Sequence, residues 1–411
     1  MKRLARFSLT WLARMILRRY HPIVVGVAGS VGKTATKEAI SAGLQTGSRS
    51  VRQTSGSFNA DVGVPVTVIS GGPARQSTWQ WLGVVLAGIG LLVRRQSYPD
   101  VLVLELGTDQ PGDLARLVRL AHPTIGVLTA IAPEHLEFFS SLEGVAEEEA
   151  TILKQLGPEQ TAVANIDTPE IESLMHELQT KQVSYGWSAK ANVRATGVTL
   201  IQTEQGLPRG MIITVSVGPE TFSVTLPGVI GRHQVYPVLA AIAVGQALGD
   251  AAAETVRALS GYRPPAGRMQ LVAGINGSLL IDDSYNASPY AMREAITTLA
   301  SLENPGRKHL ILGQMSELGA SAQHWHEEIG ALLGQPWVAT LVTVGPLAAV
   351  IGQTAVARGL SPDHVYNVPT AEAAAAKLQA VISPSDAILI KGSRYAAHLE
   401  RAVSVLAAQP E

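Results

Sequence analysis

Short apolar runs separated by alanine-rich, helix-patterned stretches dominate this chain. Ile23-Val24-Val25 leads into a glycine-rich turn and then into Ala35-Thr-Lys-Glu-Ala-Ile40, which predicts the first turns of a helix. Val101-Leu-Val-Leu-Glu105 and Thr124-Ile-Gly-Val-Leu-Thr129 are apolar runs of the kind that parallel strands show when both faces are covered. From about residue 23 to about 260, strands are predicted to alternate with helices and Gly/Pro turns. Arg263-Pro-Pro-Ala-Gly267 is a stiff break and the predicted domain boundary. A second alternating pattern follows, with strands predicted at Ser278–Asp282, Lys308–Leu312, Thr340–Val344 and Ala387–Ile390. The fold class is therefore α/β: a central domain at 23–262 with a mostly parallel sheet, then a Rossmann-like α/β domain at 263–411.

Two segments stand outside this alternation. Residues 1–22 carry Lys2, Arg3, Arg6, Arg14, Arg18 and Arg19 among apolar positions, a basic amphipathic helix. The 76–97 insertion holds an uncharged, mostly apolar run from Trp81 to Val93, preceded by Trp79 and followed by Arg94-Arg95. A helix that spans a bilayer needs about 20 apolar residues, so this run is too short. It reads either as a helix packed on the domain or as an interfacial helix. With the interfacial reading, 1–20 and 79–95 would make a peripheral contact with a membrane.

Composition narrows the class. At 411 residues, two or three domains are expected, and a net charge of −1 points away from nucleic acid as a partner. The absence of cysteine excludes disulfides and thiolate chemistry and suits a reducing cytosol. The basic N-terminus has neither an uninterrupted apolar core nor a small-residue cleavage site, so a cytoplasmic location is expected.

The candidate chemistry begins at Gly26-Val-Ala-Gly-Ser-Val-Gly-Lys-Thr34, between predicted strand and helix. That context is what a phosphate loop requires. Gly29 and Gly32 let the backbone curl so that N–H groups converge, and the helix N-terminus adds partial positive charge. Lys33 can reach the β- and γ-phosphates, and the Thr34 hydroxyl can ligate Mg²⁺. The spacing is Gly-x-x-Gly-Lys-Thr, with Val27 where the longer pattern has its first glycine. The central domain is thus predicted to be a P-loop ATPase. Glu105 ends a strand beside this loop and can ligate Mg²⁺. His135, after another strand end, is either structural or a second metal ligand. Glu147-Glu148-Glu149, taken alone, reads as a solvated helix face. Asp282-Asp283 ends a strand of the second domain and either holds the sugar side of a nucleotide or caps a helix. Arg268 can swing onto phosphates, and Lys391-Gly-Ser393-Arg394 places cations and a hydroxyl at another strand end.

Together these residues resemble the Mur ligase family, in the branch that adds D-alanyl-D-alanine to a peptidoglycan precursor. The matching stretches are Gly29-Ser-Val-Gly-Lys-Thr34, Asn59-Ala-Asp-Val-Gly-Val-Pro65, Glu105-Leu-Gly107, His135-Leu-Glu137, Gly231-Arg-His233, Pro265-Ala-Gly-Arg268, Asp282-Asp-Ser-Tyr-Asn-Ala287, Gly313-Gln-Met-Ser-Glu-Leu-Gly319, His326-Glu-Glu-Ile-Gly330 and Lys391-Gly-Ser393. They run in family order across 23–400. The resemblance implies an ATP- and Mg²⁺-dependent, ADP-forming ligase of peptidoglycan synthesis that works through an acyl phosphate. Its substrates would be a muramoyl-tripeptide precursor and D-Ala-D-Ala. It implies nucleotide binding by Gly29, Ser30, Gly32, Lys33, Thr34, Thr36, Arg268 and Asp283, metal binding by Thr34, Glu105 and His135, and substrate contacts from Asn59, Asn286, Lys391 and Ser393. Lys33, Glu105, His135 and Glu149 form the implied catalytic set.

The departures from the family pattern carry their own expectations. Only about 22 residues precede the phosphate-loop strand, so a separate N-terminal domain for the UDP part of the precursor is expected to be absent. The usual Asn-Asn-Glu reads Asn59-Ala60-Asp61, and the adenine-side His-Asn-x-x-Asn reads His233-Gln234-Val-Tyr-Pro237. Glu149 stands where the family has a carbamylated lysine, so it is expected to supply that carboxylate, and to hold metal, directly. Two other readings stay open: a Mur-type ligase for another carboxylate (another wall peptide, poly-γ-glutamate or a cofactor acid), and a nucleotide-binding homologue without ligase activity.

Overall fold

A computed structural model describes residues 2–46, 49–56, 59–72, 78–303 and 306–408. Met1, residues 76–77 of the expected insertion and residues 409–411 of the expected C-terminal domain lie outside that set. Strands β1 (Ile23–Ala28), β2 (Val51–Gln53), β3 (Val101–Glu105), β4 (Ile125–Leu128), β5 (Thr161–Asn165), β6 (Lys181–Gly186), β7 (Val193–Gln202), β8 (Pro208–Val217) and β9 (Glu220–Pro227) form one sheet, in the order β2-β3-β1-β4-β5-β6-β7-β8-β9. Pairing is parallel from β2 through β7. The helices of this half are α1 (Lys2–Tyr20), α2 (Lys33–Gly43), α3 (Gly63–Ser70), α4 (Thr78–Val93), α5 (Asp113–Ala121), α6 (Leu136–Phe139), α7 (Leu142–Lys154), α8 (Pro169–Glu177), α9 (Val235–Ala247) and α10 (Ala252–Ala258).

The two-residue period of a strand divides this sheet between two cores. Val25, Val27, Val101 and Val103 pack with Ile40 of α2 and Val238 and Ile242 of α9. Val24, Leu102 and Leu104 face the other way, onto Leu12 of α1, Val68 of α3, Leu117 of α5 and Ile152 of α7. Each such fully buried aliphatic side chain contributes about 1.5–3 kcal/mol.

The expected strand–helix alternation fails between 193 and 227. There β7, β8 and β9 form an antiparallel meander with no intervening helix. Burial alternates along β8 and at the start of β7, so one side of the meander is wet. Gly218, at φ +58, makes the tight turn between β8 and β9.

The second half is a six-stranded sheet in the order β10-β11-β15-β12-β13-β14. Its strands are β10 (Gln270–Ala273), β11 (Leu279–Asp283), β12 (Lys308–Gly313), β13 (Val338–Val344), β14 (Val365–Val368) and β15 (Ala387–Lys391). Only β10 is antiparallel. The two edge strands, β10 and β14, went unread in the sequence; they are short and half-exposed, so neither has a continuous apolar run. Helices α11 (Pro289–Ala300), α12 (Ala322–Ala331) and α13 (Ala348–Ala357) cover one face. Helices α14 (Ala371–Gln379) and α16 (Glu400–Leu406) cover the other, after the short α15 (Arg394–Ala397).

α1 and the apolar run of α4 are both helices packed on the central domain. Leu9, Leu12, Ala13 and Ile16 of α1 and Val84 and Leu91 of α4 are buried. Gly88 lets the helices approach: a Cβ there would lie 3.2 Å from Leu12 Cδ1 and 3.3 Å from Ile69 Cγ2. Among the described residues no helix is long and apolar enough to cross a membrane.

Close packing also sets the sign of a substitution in the second half. In an open helix, Gly330→Ala would gain up to about 1 kcal/mol. Here the added Cβ would lie 2.6 Å from the backbone oxygen of Ile351 and from Thr354 Cβ, so α12 and α13 must separate. Overpacking of this kind costs about 1–3 kcal/mol. Gly330→Ala is therefore expected to lower the midpoint of chemical unfolding; an unchanged or raised midpoint would contradict the packing described.

Candidate active site

The loop between β1 and α2 is shaped by its neighbours. Gly29 has φ +128, and a Cβ on it would lie 2.2 Å from Thr129 Oγ1 and 3.0 Å from the backbone of Ala130. Only glycine fits there. Gly32, at φ +86, turns the chain into α2. Thr129 donates its hydroxyl to Val31 O (2.7 Å), and Ser30 Oγ accepts from Ala132 N–H (3.0 Å). Two of the loop's N–H groups are engaged by the protein. Gly29 donates to Glu149 Oε2 (2.7 Å) and Ser30 to Ala130 O (2.8 Å). Among the described residues the N–H groups of Val31 and Gly32 have no acceptor, so of the loop's amides these two are not engaged by the protein.

Lys33 folds back over this loop. Its Nζ donates to Gly29 O (2.5 Å) and Ser30 O (3.1 Å) and lies 3.9 Å from Glu134 Oε2. Burial pushes its pKa down, but Glu134, Glu149 and Glu105 outweigh that and hold it above the ordinary value. Thr34 donates its hydroxyl to Glu105 Oε1 (3.2 Å), and Asn59 Nδ2 donates to the same oxygen (3.1 Å). Glu105 Oε2 is buried with no hydrogen-bond partner and lies 3.7 Å from Lys37 Nζ. An orphaned carboxylate oxygen beside a threonine hydroxyl is a donor set that suits a hard divalent cation. Thr36 is buried on the first turn of α2 and lines the same cleft.

Of the four residues expected at a metal, the structure brings two to one another. Among the described residues no three His, Cys, Asp or Glu side chains converge as metal ligands. Thr34 and Glu105 are together, whereas His135 and Glu149 are engaged elsewhere. His135, in a left-handed conformation, places Nδ1 2.7 Å from Glu317 Oε2 in the second half. Burial lowers its pKa, but Glu317 and Glu134 more than offset this, so it lies above the ordinary value. Glu149 is buried against Gly29 N–H, and its pKa is pushed up to about 7. Burial is the main cause; Lys33 opposes it and Glu134 adds to it.

The solvated-face reading of the glutamate run holds for Glu147 alone. Glu148 is also buried and accepts from Thr108 Oγ1 (3.2 Å), Gly112 N–H (2.9 Å) and Leu114 N–H (2.8 Å), so it ties the start of α5 to α7.

The second half supplies the opposite wall. Lys391 Nζ donates to Asp283 Oδ2 (2.5 Å) and Asn286 O (3.0 Å), and Ser393 Oγ donates to Asn286 Oδ1 (3.4 Å). Asp283 Oδ1 accepts from Met269 N–H (3.2 Å), so its carboxylate is held on both oxygens. Burial pulls Lys391 below the ordinary lysine value despite Asp283. Asp282 accepts from Ser284 N–H (3.0 Å), the turn expected as an alternative there. The Arg268 guanidinium stacks 4.4 Å from the Tyr285 ring. Gln234 Nε2 donates to Arg268 O (3.2 Å), and burial depresses neighbouring His233 to about 4. Phosphate loop, Glu105, Asn59, Arg268, Asp283 and Lys391 all line one cleft of about 520 Å³.

Some residues in the cleft wall or buried behind it carried no role in the sequence reading. Lys37 is fully buried and donates to Thr54 O (2.7 Å) and Gly56 O (3.0 Å), pinning the segment before Asn59. Its signal was a lysine among the buried Ala35, Ala39 and Ile40 of α2. Glu317 stood inside a quoted stretch and Glu134 just before another, but only the fold sets them beside His135 and Lys33.

Fold and cleft define a two-domain, phosphate-loop nucleotide-binding ligase. The Mur ligase middle domain model matches residues 27–245, and the Mur ligase glutamate ligase domain model matches 267–394. The chain is 31% identical over 387 residues to the UDP-N-acetylmuramoyl-tripeptide–D-alanyl-D-alanine ligase of Bacillus subtilis, with 94% of this chain and 76% of that one covered. It is 28% identical over 401 residues to the ligase of the same name from Escherichia coli, with 98% and 80% covered. Its fold is similar to that of a MurF ligase from Thermotoga maritima solved with ADP: TM-score 0.79, 26% identity, 97% and 83% covered. The chain belongs to the Mur ligase family.

Two neighbouring glutamates should separate in solution. Glu148→Gln is expected to cost about 1–3 kcal/mol, because a buried carboxylate with three donors loses part of its set. At Glu149 the folded pKa, about 7, lies above the ordinary 4.5, so the folded state keeps a proton that the unfolded chain releases. That contribution is fully present below about pH 4.5 and is lost as pH rises toward 7. Melting of the nucleotide-free protein from pH 5 to 8 should show a decline with pH that is shallower in Glu149→Gln. Parallel curves would contradict the burial described for Glu149.

Proposed function

We propose that this Mur-type ligase, which uses ATP and forms ADP, joins D-Ala-D-Ala to the terminal carboxylate of a muramoyl-tripeptide precursor of peptidoglycan. The observation that carries the reading is one cleft that holds the Gly29–Thr34 loop and Glu105 on one wall and Arg268, Asp283 and Lys391 on the other. The names of the relatives supply the substrate pair.

In this reading the γ-phosphoryl group of ATP passes to a carboxylate oxygen of the acceptor, leaving ADP and an acyl phosphate. The amine nitrogen of the dipeptide attacks the acyl carbon, gives up its proton, and the tetrahedral adduct collapses with loss of inorganic phosphate. Lys33 would leave Gly29 O and Ser30 O and meet the β/γ oxygens, where its charge counters the moving phosphoryl group. The N–H groups of Val31 and Gly32 would cradle phosphate, flanked by Ser30 and Thr36. Thr34 and Glu105 would hold Mg²⁺, which supplies charge neutralisation at the phosphates. Arg268 would turn from Tyr285 onto phosphate, and Asp283 would face the ribose. Asn59, Asn286, Lys391 and Ser393 would position acceptor and amine. The His135–Glu317 contact would hold the two walls together and keep water from the acyl phosphate.

In this reading Glu149 takes the place of the family's carbamylated lysine as a carboxyl group that needs no CO₂, placed on the phosphate loop. His135 and Glu149 would reach a metal only after leaving Glu317 and Gly29, so they act in this reading on loop and walls. A peripheral contact with a bilayer through α1 and α4 stands apart from this chemistry; neither helix lines the cleft.

The test is mass spectrometry of the product formed by the purified chain from ATP, UDP-muramoyl-tripeptide and D-Ala-D-Ala. The expected result is the pentapeptide precursor, with ADP release that depends on the amine. ADP release without that product would move the reading to another carboxylate acceptor; none with any amine would mark a non-catalytic homologue. Lys33→Ala should lower turnover by a factor of at least roughly 10² to 10³, as loss of one transition-state donor does. Turnover should not respond to removing or adding bicarbonate, since Glu149 needs no CO₂; bicarbonate dependence would restore a lysine carbamate to the site.

A further inference from the structure

The face that α1 and α4 turn to solvent has a composition unlike the rest of the surface. Among the described residues ten large hydrophobic side chains are exposed, and six of them lie on these two helices. Leu82, Leu86, Ile89 and Val93 repeat at helical spacing along α4, exposed by 48%, 57%, 45% and 79%. Phe7 and Trp11 do the same on α1, at 71% and 52%. The spacing i, i+4, i+7, i+11 makes each set a stripe on one side of its helix. The opposite sides are the buried contacts with α3 and the sheet, so α4 is apolar nearly all round, while α1 sets its exposed apolar pair among basic residues.

Fold, and not sequence, then joins two basic segments. Tyr20, the last residue of α1, donates its hydroxyl to Leu91 O (3.0 Å) and accepts from Gln96 N–H (3.1 Å). The C-terminal ends of α1 and α4 are therefore side by side. Arg18 and Arg19 come to the same end of the apolar face as Arg94 and Arg95, all four exposed. Arg14 and Arg18 also continue the Phe7–Trp11 stripe. Among the described residues none of these five arginines has an ion pair, and neither helix contains an acid. The nearby Asp61 is taken by Arg6 and Arg116, and Asp100 by Ser50.

We propose that the α1–α4 face is a docking surface for a lipid bilayer with anionic headgroups. Unpaired arginines rimming an apolar stripe match the two layers of such a surface, acyl boundary and headgroup, at one depth. α4 is about 24 Å long at 1.5 Å per residue and is already held by α1 and α3 along one side, so it lies in the interface and does not cross it. A second copy of this face brings no acid to the arginines, so it is the poorer partner. The Arg6–Asp61 contact ties α1 to the segment that carries Asn59, and docking would bring that edge of the cleft toward the headgroups. The proposal is independent of the ligase reading, since its readout is binding and not turnover.

Cosedimentation of the full chain with vesicles tests it, using phosphatidylcholine alone and phosphatidylcholine with roughly one-third phosphatidylglycerol. Binding should appear with the anionic vesicles and weaken as salt is raised. The double substitution Arg94→Glu/Arg95→Glu lies past the end of α4, where folding does not depend on it, and should weaken binding by at least roughly 25-fold, about fivefold for each arginine lost. Leu86→Asp, on an exposed position, should weaken it by at least roughly tenfold with unchanged circular dichroism. Three results would overturn the proposal: no binding of the unaltered chain to either vesicle, equal binding to both that ignores the arginine substitutions, or a concentration-dependent dimer in light scattering that Leu86→Asp abolishes, which would make this face a contact between copies.

Discussion

Charge buried around one glycine organises the nucleotide side of this molecule. Gly29 has no side chain, so Thr129 fills the space beside it and Glu149 receives its N–H. Lys33 lies over the same loop, with Glu134 close by and Glu105 reached through Thr34. Each of these charges would be costly alone in a buried site. Held together, they keep Lys33 protonated and leave one carboxylate oxygen of Glu105 without a hydrogen bond. The lysine's charge is turned onto the loop's own backbone, at Gly29 O and Ser30 O.

The second half repeats this arrangement with another buried lysine held by an acid. Lys391 is buried and would lose its proton readily but for Asp283, which is itself held by Met269 N–H. Arg268 is parked on Tyr285, and His233 is kept neutral by burial. The two walls meet at His135 and Glu317, one from each half, and the backbone adds Glu137 N–H to Glu317 O (3.2 Å). Chemistry in the cleft therefore depends on a contact between residues far apart in the chain. A shift of either half would change the reach of Arg268 and Lys391 to the phosphate loop.

Much of the fold was legible because parallel strands covered on both faces leave uninterrupted apolar runs, as at Val101–Glu105 and Ala387–Lys391. The edge strands and the β7–β9 meander were not, because half-exposed strands carry the weaker two-residue alternation. The phosphate loop was legible through its glycines, lysine and threonine, whose roles are fixed within nine residues by backbone geometry. Roles that depend on a distant partner were read less well. Glu148 and Glu149 looked alike in a charged run, yet one caps α5 and the other receives the loop's N–H, since α7 packs against both. His135, read as either structural or a metal ligand, meets Glu317 of the other half, a partner that nothing near it in the chain announces.

The sequence by itself determined the α/β class, the glycine-rich turn between β1 and α2, the strand-end acids and cations, and the family. These follow from local spacing and from residue types that backbone geometry uses in one way. Tertiary structure alone decided which charges meet: Lys37 with the segment before Asn59, Glu149 with Gly29, His135 with Glu317, and the arginines of α1 with those after α4. The physical reason is that pairing energy and burial depend on distances of a few ångströms across different elements, and neither propensity nor periodicity in one segment encodes them.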